Sequence, residues 1–328
     1  MPLVSIIVVF HRVSTYLGQG LRSLFAQTFR DIEIILVDNG TGTGTGTLAE
    51  FGNDPRLRLV SLPRNQGCAA GYRAGLSQAR GQFIGLQGYD DLSLPRRVEA
   101  QVARLQREPR LGVVLSRAWV IDDGGVLVGR EFALVNEREC RIFTNYSNPG
   151  PASSFLGREE VFARFAFRSE FDTAEDFDFL SRVVDVWPIC GINEDLLHYR
   201  RHSAQVTQER QAEQVLRACL IRLLAARRRS GRAEDFAAAW ATLGSWVNAP
   251  PSLPVIYARF ANWCLEEKFP LLAVYHARKL LAVRRDVRTM AAALRVYRDA
   301  VRIAPGEAVV LTRMFLTGPL RTHRLNSA

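Results

Sequence analysis

Five short segments of this sequence gather residue types that do chemistry on phosphate and hydroxyl groups. Phe10-His11-Arg12 and Asp38-Asn39-Gly40 each follow an apolar run, and Asp90-Asp91 follows a third. A carboxylate such as Asp38, just past a strand, can accept hydrogen bonds from a ribose or a base. Two adjacent carboxylates such as Asp90 and Asp91 can hold Mg²⁺ or Mn²⁺ against phosphate oxygens, because hard cations take oxygen ligands. The run Phe171-Asp172-Thr173-Ala174-Glu175-Asp176-Phe177-Asp178 puts carboxylates where a helix begins. A carboxylate on a rigid helix start can take a proton from an attacking hydroxyl. Asn193 to His202 reads as a strand ending in Tyr199-Arg200-Arg201-His202, from which Arg200, Arg201 or His202 can reach a diphosphate or its metal.

Each segment also has a purely structural reading. Asp38 can open an Asx turn, and Asp90-Asp91 can cap the next helix. Thr173 can cap the helix that follows it, whose acidic first turn suits the positive end of the helix dipole. The charged strand 193–202 can be a solvated sheet edge. Taken singly, Asp38 and the acidic helix start favour these structural readings. Several carboxylates at one edge of one sheet favour a site. Neither a Walker loop nor a GxGxxG after the first strand is present, so phosphate would be neutralised by a metal or by arginine.

The elements that must position these groups alternate between strands and helices over residues 1–120. Val4 to Phe10 is apolar and β-branched, as in a strand covered on both faces. Leu17, Leu21, Leu24 and Phe25 mark a helix face, Ile32 to Asp38 a second strand, and Leu57 to Ser61 a third. Residues 68–79 read as a helix and Gln82 to Gln87 as a fourth strand. Ser93 can cap a helix that tolerates Pro95 in its first turn and carries Val98, Val102 and Leu105 on its apolar face. This rhythm predicts an α/β fold with a mostly parallel sheet, and ligands bind such sheets beyond the carboxyl ends of the strands. Val113-Val114-Leu115 and Val126-Leu127-Val128 flank Asp122-Asp123-Gly124-Gly125 and predict a hairpin. Thr41 to Thr47 alternates Thr and Gly and predicts a mobile loop.

Composition bounds the rest. The chain has 328 residues with 48% hydrophobic and 23% charged, a globular profile that fits one large domain or two ordinary ones. No window reaches the ~18 consecutive apolar residues of a membrane span. Leu3 to Phe10 lacks a basic flank and a cleavage site, so it reads as a strand rather than a signal peptide. The five cysteines (Cys68, Cys140, Cys190, Cys219, Cys264) are scattered and contain no CxxC, which argues against a disulfide framework or a zinc site and fits a reducing cytosol. The net charge of +10 is uneven: residues 1–204 sum to −1 and residues 205–328 to +11, almost all from arginine.

In this order the segments resemble the family 2 glycosyltransferases. The family's opening strand ends in a short polar turn, here Val9-Phe10-His11. Its Val-Asp-Asp-Gly-Ser box is here Val37-Asp38-Asn39-Gly40-Thr41, and its Asn-x-Gly segment is Asn65-Gln66-Gly67. Its Asp-x-Asp-Asp metal motif with a following proline is Gly88-Tyr89-Asp90-Asp91 with Pro95. Its Glu-Asp pair is Glu175-Asp176, and its Leu-x-x-Tyr-Arg-x-His box runs from Leu196 to His202. The resemblance covers residues 1–207 and implies a GT-A-type fold there, with an inverting transfer from a nucleotide-sugar, first of all a UDP-sugar, to a hydroxyl acceptor; the all-α region over 208–328, with a break at 249–254, is read from its composition and lies outside the resemblance. It implies Asp176 as general base with Glu175 assisting. Phe10, His11, Asp38, Asn65, Arg73, Asp90, Arg200 and His202 would bind the nucleotide-sugar. Asp90, Asp91 and His202 would bind Mg²⁺ or Mn²⁺. Acceptors of such enzymes are saccharide, lipid-linked or protein hydroxyls. Three departures stand out: Gly88 for the first aspartate of the metal motif, Asn39 for the second aspartate of the nucleotide box, and His11 for the usual asparagine. A weakly active or inactive GT-A-like module that binds a membrane or protein through its tail is the alternative.

From about residue 205 strands give way to an Ala-, Leu- and Arg-rich helical pattern broken at Pro250, Pro251 and Pro254. Leu280, Val283, Val287, Met290, Leu294, Tyr297 and Val301 follow 3- and 4-residue spacing and predict one apolar helix seam used in core packing. The arginines can form solvated helix faces, or draw the protein to the anionic inner face of a membrane. Nucleic-acid binding is disfavoured, since Arg227-Arg228-Arg229 lacks interleaved aromatics and no nucleic-acid motif is present.

Overall fold

The computed structural model describes residues 2–42, 50–51, 54–131, 133–203, 205–308, 312 and 315–316; beyond Gly42, the Thr-Gly stretch expected to be mobile lies outside them. The chain divides into two compact units, Met1–Glu209 and Arg210–Ala328.

The first unit runs β1 (Val4–Phe10), α1 (Thr15–Phe25), β2 (Ile32–Asn39), β3 (Leu57–Leu62), α2 (Cys68–Leu76), β4 (Phe83–Gly88), β5 (Leu92–Ser93), α3 (Arg97–Arg107), β6 (Val113–Ile121), β7 (Leu127–Glu131), α4 (Glu137–Phe143), β8 (Leu156–Arg158), α5 (Glu159–Arg164), α6 (Glu175–Val183), β9 (Ile189–Arg200) and α7 (Val206–Glu209). Among the described residues these strands form one sheet in the order β3-β2-β1-β4-β8-β6-β9-β5, with β7 paired to β6. β3, β2, β1 and β4 are mutually parallel, and β6 runs parallel to β9. The antiparallel pairs are β4 with β8, β6 with β8, β6 with β7, and β5 with β9.

The unbroken apolar runs of β1 and β2 are explained by two-sided burial. Ile7, Val9, Ile35 and Val37 point into one core, which includes Ala69 and Tyr72 of α2. Ile6, Val8, Phe10, Ile34 and Leu36 point into the other, with Leu17, Leu21 and Leu24 of α1 and Val98, Val102 and Leu105 of α3. Each such side chain, fully buried, contributes ~1.5–3 kcal/mol. Register then sets the edge where ligands would bind. Phe10 pairs with Asp38, Asn39 with Leu62, and Val9 with Gly88, so β1, β2 and β4 end level and deliver His11, Asp38-Asn39 and Asp90-Asp91 to one rim.

Two helix starts differ from expectation. Ser93 does not cap a helix: it lies in β5, pairs with Leu197, and its hydroxyl bonds Gln87, while α3 begins at Arg97. Thr173 does not cap α6 either. It adopts a positive φ of 78°, and Ala174 precedes the helix without a side-chain cap. The expected hairpin is present as β6–β7, with Asp122 Oδ1 accepting from the Gly124 and Val126 amides.

The second unit contains α8 (Gln211–Arg229), α9 (Phe236–Leu243), α10 (Leu253–Glu266), α11 (Pro270–Val283) and α12 (Val287–Ile303), with no strand among its described residues. The prolines act as helix openers: Pro254 and Pro270 sit in the first turns of α10 and α11, where their missing N–H has no partner to lose. The expected seam from Leu280 to Val301 is not one helix. α11 ends at Val283, and Asp286 caps α12 by accepting from the Thr289 amide at 2.8 Å. The buried face of α12 is Thr289, Ala293, Val296 and Ala300. Small alanines let this helix pack closely; of the seam residues, Leu280 is buried and Tyr297 and Val301 pack against the Val274–Ala300 cluster, while Val287, Met290 and Leu294 are left outside. Deep in this unit His276 is fully buried, 3.7 Å from the Cys219 sulfur, and burial holds its pKa well below the usual imidazole range.

Candidate active site

The loop after β2 is built by amides. Asp38 is buried and its Oδ1 accepts from the Thr41 amide at 2.8 Å, so the Asx turn exists as read. Asn39 Nδ2 donates to Asn65 Oδ1 at 3.2 Å and to the Gly67 carbonyl at 3.0 Å, while its Oδ1 accepts from the Gln66 amide at 2.9 Å. A carboxylate at 39 could not donate, which gives the departure at Asn39 a local reason. Asn65 Oδ1 also accepts from the Gly67 amide, so this oxygen shapes the loop rather than facing a ligand. Phe10 is also corrected as a side-chain contact: it is buried in the core between β1 and the helices. His11 is half-buried at the rim, edge-on to Tyr89. Burial and the neighbouring Arg12 lower its pKa, while Asp90 and Asp172 both act on it in the opposite sense.

The acidic turn after β4 splits its two aspartates. Asp90 Oδ2 faces His202 Nε2 at 2.8 Å, and Tyr16 packs against the imidazole. Asp91 is buried. Its Oδ1 accepts the Arg200 amide at 2.8 Å, Ser153 hydrogen-bonds it, and burial followed by the Asp90 charge raises its pKa well above the carboxylate range. Behind it lies the fully buried Arg97, whose guanidinium bonds the carbonyls of Leu86 and Ser153 and whose pKa burial lowers to about 10. Asp91 thus belongs to the interior, its carboxyl engaged by the Arg200 amide and Ser153. Gly88 explains the collapse: a Cβ there would stand 2.9 Å from Asp90 Oδ1, 2.9 Å from Asp91 Oδ2 and 3.0 Å from Ser153 Oγ. An aspartate in its place would push this turn open.

Arg200, expected at the diphosphate, is engaged by groups of the protein. Its Nε donates to the Asp90 carbonyl, Nη1 to the carbonyls of Asp122 and Asp123, and Nη2 to Gln19 Oε1 at 2.7 Å, with the guanidinium 4.5 Å over the Tyr16 ring. These bonds knit the ends of β4, β6 and β9 together, and the guanidinium has few donors left for a diphosphate.

The implied Mg²⁺ or Mn²⁺ has only a partial fit. Among the described residues no three His, Cys, Asp or Glu side chains group as a metal centre. Asp90 and His202 supply two adjacent donors, and Mg²⁺ commonly takes one or two carboxylates plus substrate phosphates and water. The residues fit a site completed by a diphosphate, not one built by protein alone.

The second acidic group sits at the start of α6. Asp176 is half-buried; its Oδ2 accepts from Asn148 Nδ2 and its Oδ1 from the Phe177 amide, both at 2.7 Å. Burial raises its pKa and these bonds oppose the shift. Glu175 is 7% exposed, and its Oε2 has no hydrogen-bond partner. Burial, then Asp176 and Asp172, push its pKa to about 8. Burial and the neighbouring carboxylates thus favour the protonated form of Glu175. Two carboxylates so close cannot both ionise cheaply.

The α2 helix holds this group in place. Asp172 Oδ1 accepts the Cys68 amide at 2.5 Å and the Ala69 amide at 3.3 Å, capping α2 from more than 100 residues away in sequence. Gly67 has φ of 86°, and a Cβ on it would come within 2.6 Å of Asp172 Oδ1. Arg73 of α2 donates to the Phe167 carbonyl at 2.6 Å and to Ser169 Oγ at 2.8 Å. It ties down the segment that leads into Asp176 and is not aimed at a nucleotide. Asp178, fully buried, is gripped by Arg168 and Arg182. Arg97, Asn148 and Ser153 escaped sequence reasoning. Asn148 lies in a turn-rich loop and Arg97 within an amphipathic helix pattern, so neither carries a local signal of its role.

Comparison with known proteins places the fold that carries these residues. Residues 5–165 match the profile described as Glycosyl transferase family 2. The putative glycosyltransferase EpsE of Bacillus subtilis is 33% identical over 152 residues, which cover 45% of this chain and 51% of that protein. An uncharacterized glycosyltransferase of Haemophilus influenzae is 25% identical over 226 residues, 65% of this chain and 70% of that protein. The match to EpsE thus spans about half of that relative's length. Among solved structures, S. aureus TarS 1–349 in complex with UDP superposes with a TM-score of 0.58 at 15% identity, covering 96% of this chain and 85% of that one. The mannosyltransferase PcManGT of Pyrobaculum calidifontis, in complex with GDP-Man and Mn²⁺, gives 0.54 at 15% identity, covering 97% and 88%. Residues 5–165 thus match glycosyl transferase family 2, and the chain has the GT-A fold of these solved glycosyltransferases.

Proposed function

We propose that this protein transfers a sugar from a nucleoside-diphosphate donor, a UDP-sugar first, to an acceptor hydroxyl with inversion at the anomeric carbon. The observation that carries the reading is the half-buried Asp176. Its two oxygens are fixed by Asn148 and the Phe177 amide at a helix start braced by α2, and its neighbour Glu175 is pushed toward the protonated form. In a single displacement the acceptor oxygen bonds the anomeric carbon as the bond to the diphosphate oxygen breaks. The acceptor proton passes to Asp176, and no covalent sugar–enzyme intermediate is needed. Asp38 and the Asn39-Asn65-Gly67 loop would receive the nucleoside, and His11 would lie between donor and acceptor ends of the cleft. A divalent ion, held by Asp90 and His202, would offset charge on the departing diphosphate. The solved GT-A neighbours bound to UDP, UDP-GlcNAc and GDP-Man with Mn²⁺ support a nucleotide-sugar donor. The acceptor is proposed as a saccharide, lipid-linked or protein hydroxyl in polysaccharide or glycoconjugate synthesis.

The collapsed turn at Gly88 favours a second reading, a GT-A-like module of low activity. A panel of sugar nucleotides separates the two. The transferase must raise its melting temperature with a nucleoside diphosphate and release that diphosphate from one donor when acceptors are supplied. Stabilisation without turnover on any donor selects the second reading, and no stabilisation by any nucleotide sinks both. Among the described residues no helix is long and apolar enough to cross a membrane.

A further inference from the structure

Three of the residues that the sequence assigned to an apolar seam stand on the outside of α12, while Tyr297 and Val301 of the same helix pack inward. Val287 is 83% exposed, Met290 51% and Leu294 52%. Spaced i, i+3, i+7, they form one ridge about 10 Å long at 1.5 Å rise per residue. The core of the unit does not need them, because α12 packs through Ala293, Val296 and Ala300 on another face. Single exposed apolar residues are ordinary; three in line on one helix are a patch that calls for a partner. Beside the ridge, on the solvent side, α12 carries Arg288, Arg295, Arg298 and Arg302, all exposed. Asp299 pairs with Arg298 and Arg302 at 3.1 and 3.8 Å, whereas no ion pair is formed by Arg288 or Arg295 among the described residues. Arg284 and Arg285 extend the basic strip to the preceding turn. The helix therefore has three sectors: a small-residue core face, an apolar ridge, and an arginine strip.

We infer that the ridge and arginine strip of α12 form a docking surface for an anionic lipid membrane, with Val287, Met290 and Leu294 entering the headgroup–acyl boundary and the arginines meeting the lipid phosphates. Charge complementarity selects this occupant. Residues 205–328 carry a net +11, and a second copy of the chain would set like arginines against these. An apolar ridge bordered by arginine is how an interfacial helix divides its work, apolar area giving depth and cations giving attraction to anionic headgroups. The surface is independent of the proposed transferase chemistry, and its test does not read activity.

The full chain would be sedimented with vesicles of phosphatidylcholine mixed with phosphatidylglycerol, and with vesicles of phosphatidylcholine alone, at low and high salt. The wild type is expected to bind the anionic vesicles, to release as salt rises, and to bind pure phosphatidylcholine far more weakly. The pair Arg288→Glu/Arg295→Glu is expected to weaken binding at least tenfold, since each basic residue contributes about fivefold near such a surface. Leu294→Asp is expected to do so at unchanged charge on the arginines. All three sites are solvent-exposed, so circular dichroism and melting should match the wild type. Arg107→Glu, on the exposed part of α3, is expected to leave binding unchanged. Absence of wild-type binding, equal binding to both vesicle types, or indifference to both variants would overturn the inference. So would self-association that Leu294→Asp abolishes, which would assign the ridge to a second copy.

Discussion

Arg73 gives the sharpest contrast between a ligand contact and a brace. The guanidinium donates to the Phe167 carbonyl and the Ser169 hydroxyl, on the segment that ends in Asp172 and turns through Thr173 into α6. Replacing Arg73 with Met keeps the aliphatic stem and removes both bonds. Hydrogen bonds from a charged donor contribute ~1.5–3 kcal/mol each when buried, and the exposed flank of this side chain reduces the pair to about 1–2 kcal/mol in total. For a unit of this size that lowers Tm by roughly 2–8 °C. The larger effect is geometric. A shift of the acidic helix start by about 1 Å misplaces the proton acceptor, and such misplacement costs on the order of 100-fold in rate. The Asp172 cap of α2 remains, so the nucleotide loop should keep its shape. Steady-state kinetics with the best donor, together with calorimetric titration of the nucleoside diphosphate, should show kcat falling 10- to 100-fold with nucleotide affinity unchanged. A variant with weakened nucleotide affinity and unaltered kcat would refute the reasoning and return Arg73 to the nucleotide site.

Three other outcomes follow from the same geometry. Glu175 has its pKa raised from 4.5 to about 8. The folded state therefore binds a proton that the unfolded state has lost between those values, and stability falls as pH rises through that window, by about 1.4 kcal/mol per unit at most. Glu175→Gln should flatten this part of the stability–pH curve in denaturant titrations; an unchanged slope would mean that Glu175 is ionised at neutral pH. Asp91→Ala should destabilise the first unit by ~1–3 kcal/mol, because it leaves the buried Arg200 amide and the Ser153 hydroxyl without their acceptor; a variant that melts like the wild type but loses Mn²⁺ response would point to Asp91 as a ligand. Asp90→Ala should erase any additional thermal shift that Mn²⁺ gives to nucleotide binding, and a persisting metal increment would place the ion elsewhere.

The parallel half of the sheet was legible because β1 and β2 are apolar on both faces and because their ends carry the polar triplets. Pairing of Phe10 with Asp38 turned that adjacency in sequence pattern into a shared rim. The order of the segments carried the family resemblance even though single positions departed from it. Roles within the rim were harder to read. Asp90 and Asp91 are chemically identical in sequence, and only tertiary burial separates the one facing His202 from the one locked against the Arg200 amide. The resemblance implies Arg200 and Arg73 as nucleotide contacts, and nothing in the sequence signals that backbone carbonyls from distant segments accept from both of them. The Asp172 cap on α2 links residues too far apart for any local pattern. In the second unit, periodicity found the apolar residues of α12 but not which side the core would choose, since the alanine face gave a closer fit.

The central claim is that Asp176 is the base of a glycosyl transfer, and its most direct test is turnover by Asp176→Asn. Asparagine keeps the size of the side chain and still accepts the Phe177 amide, so nucleotide binding and melting should stay close to the wild type. The account predicts that release of nucleoside diphosphate from the best donor falls by ~10²–10⁴-fold. Wild-type turnover in a folded, nucleotide-binding Asp176→Asn protein would contradict it.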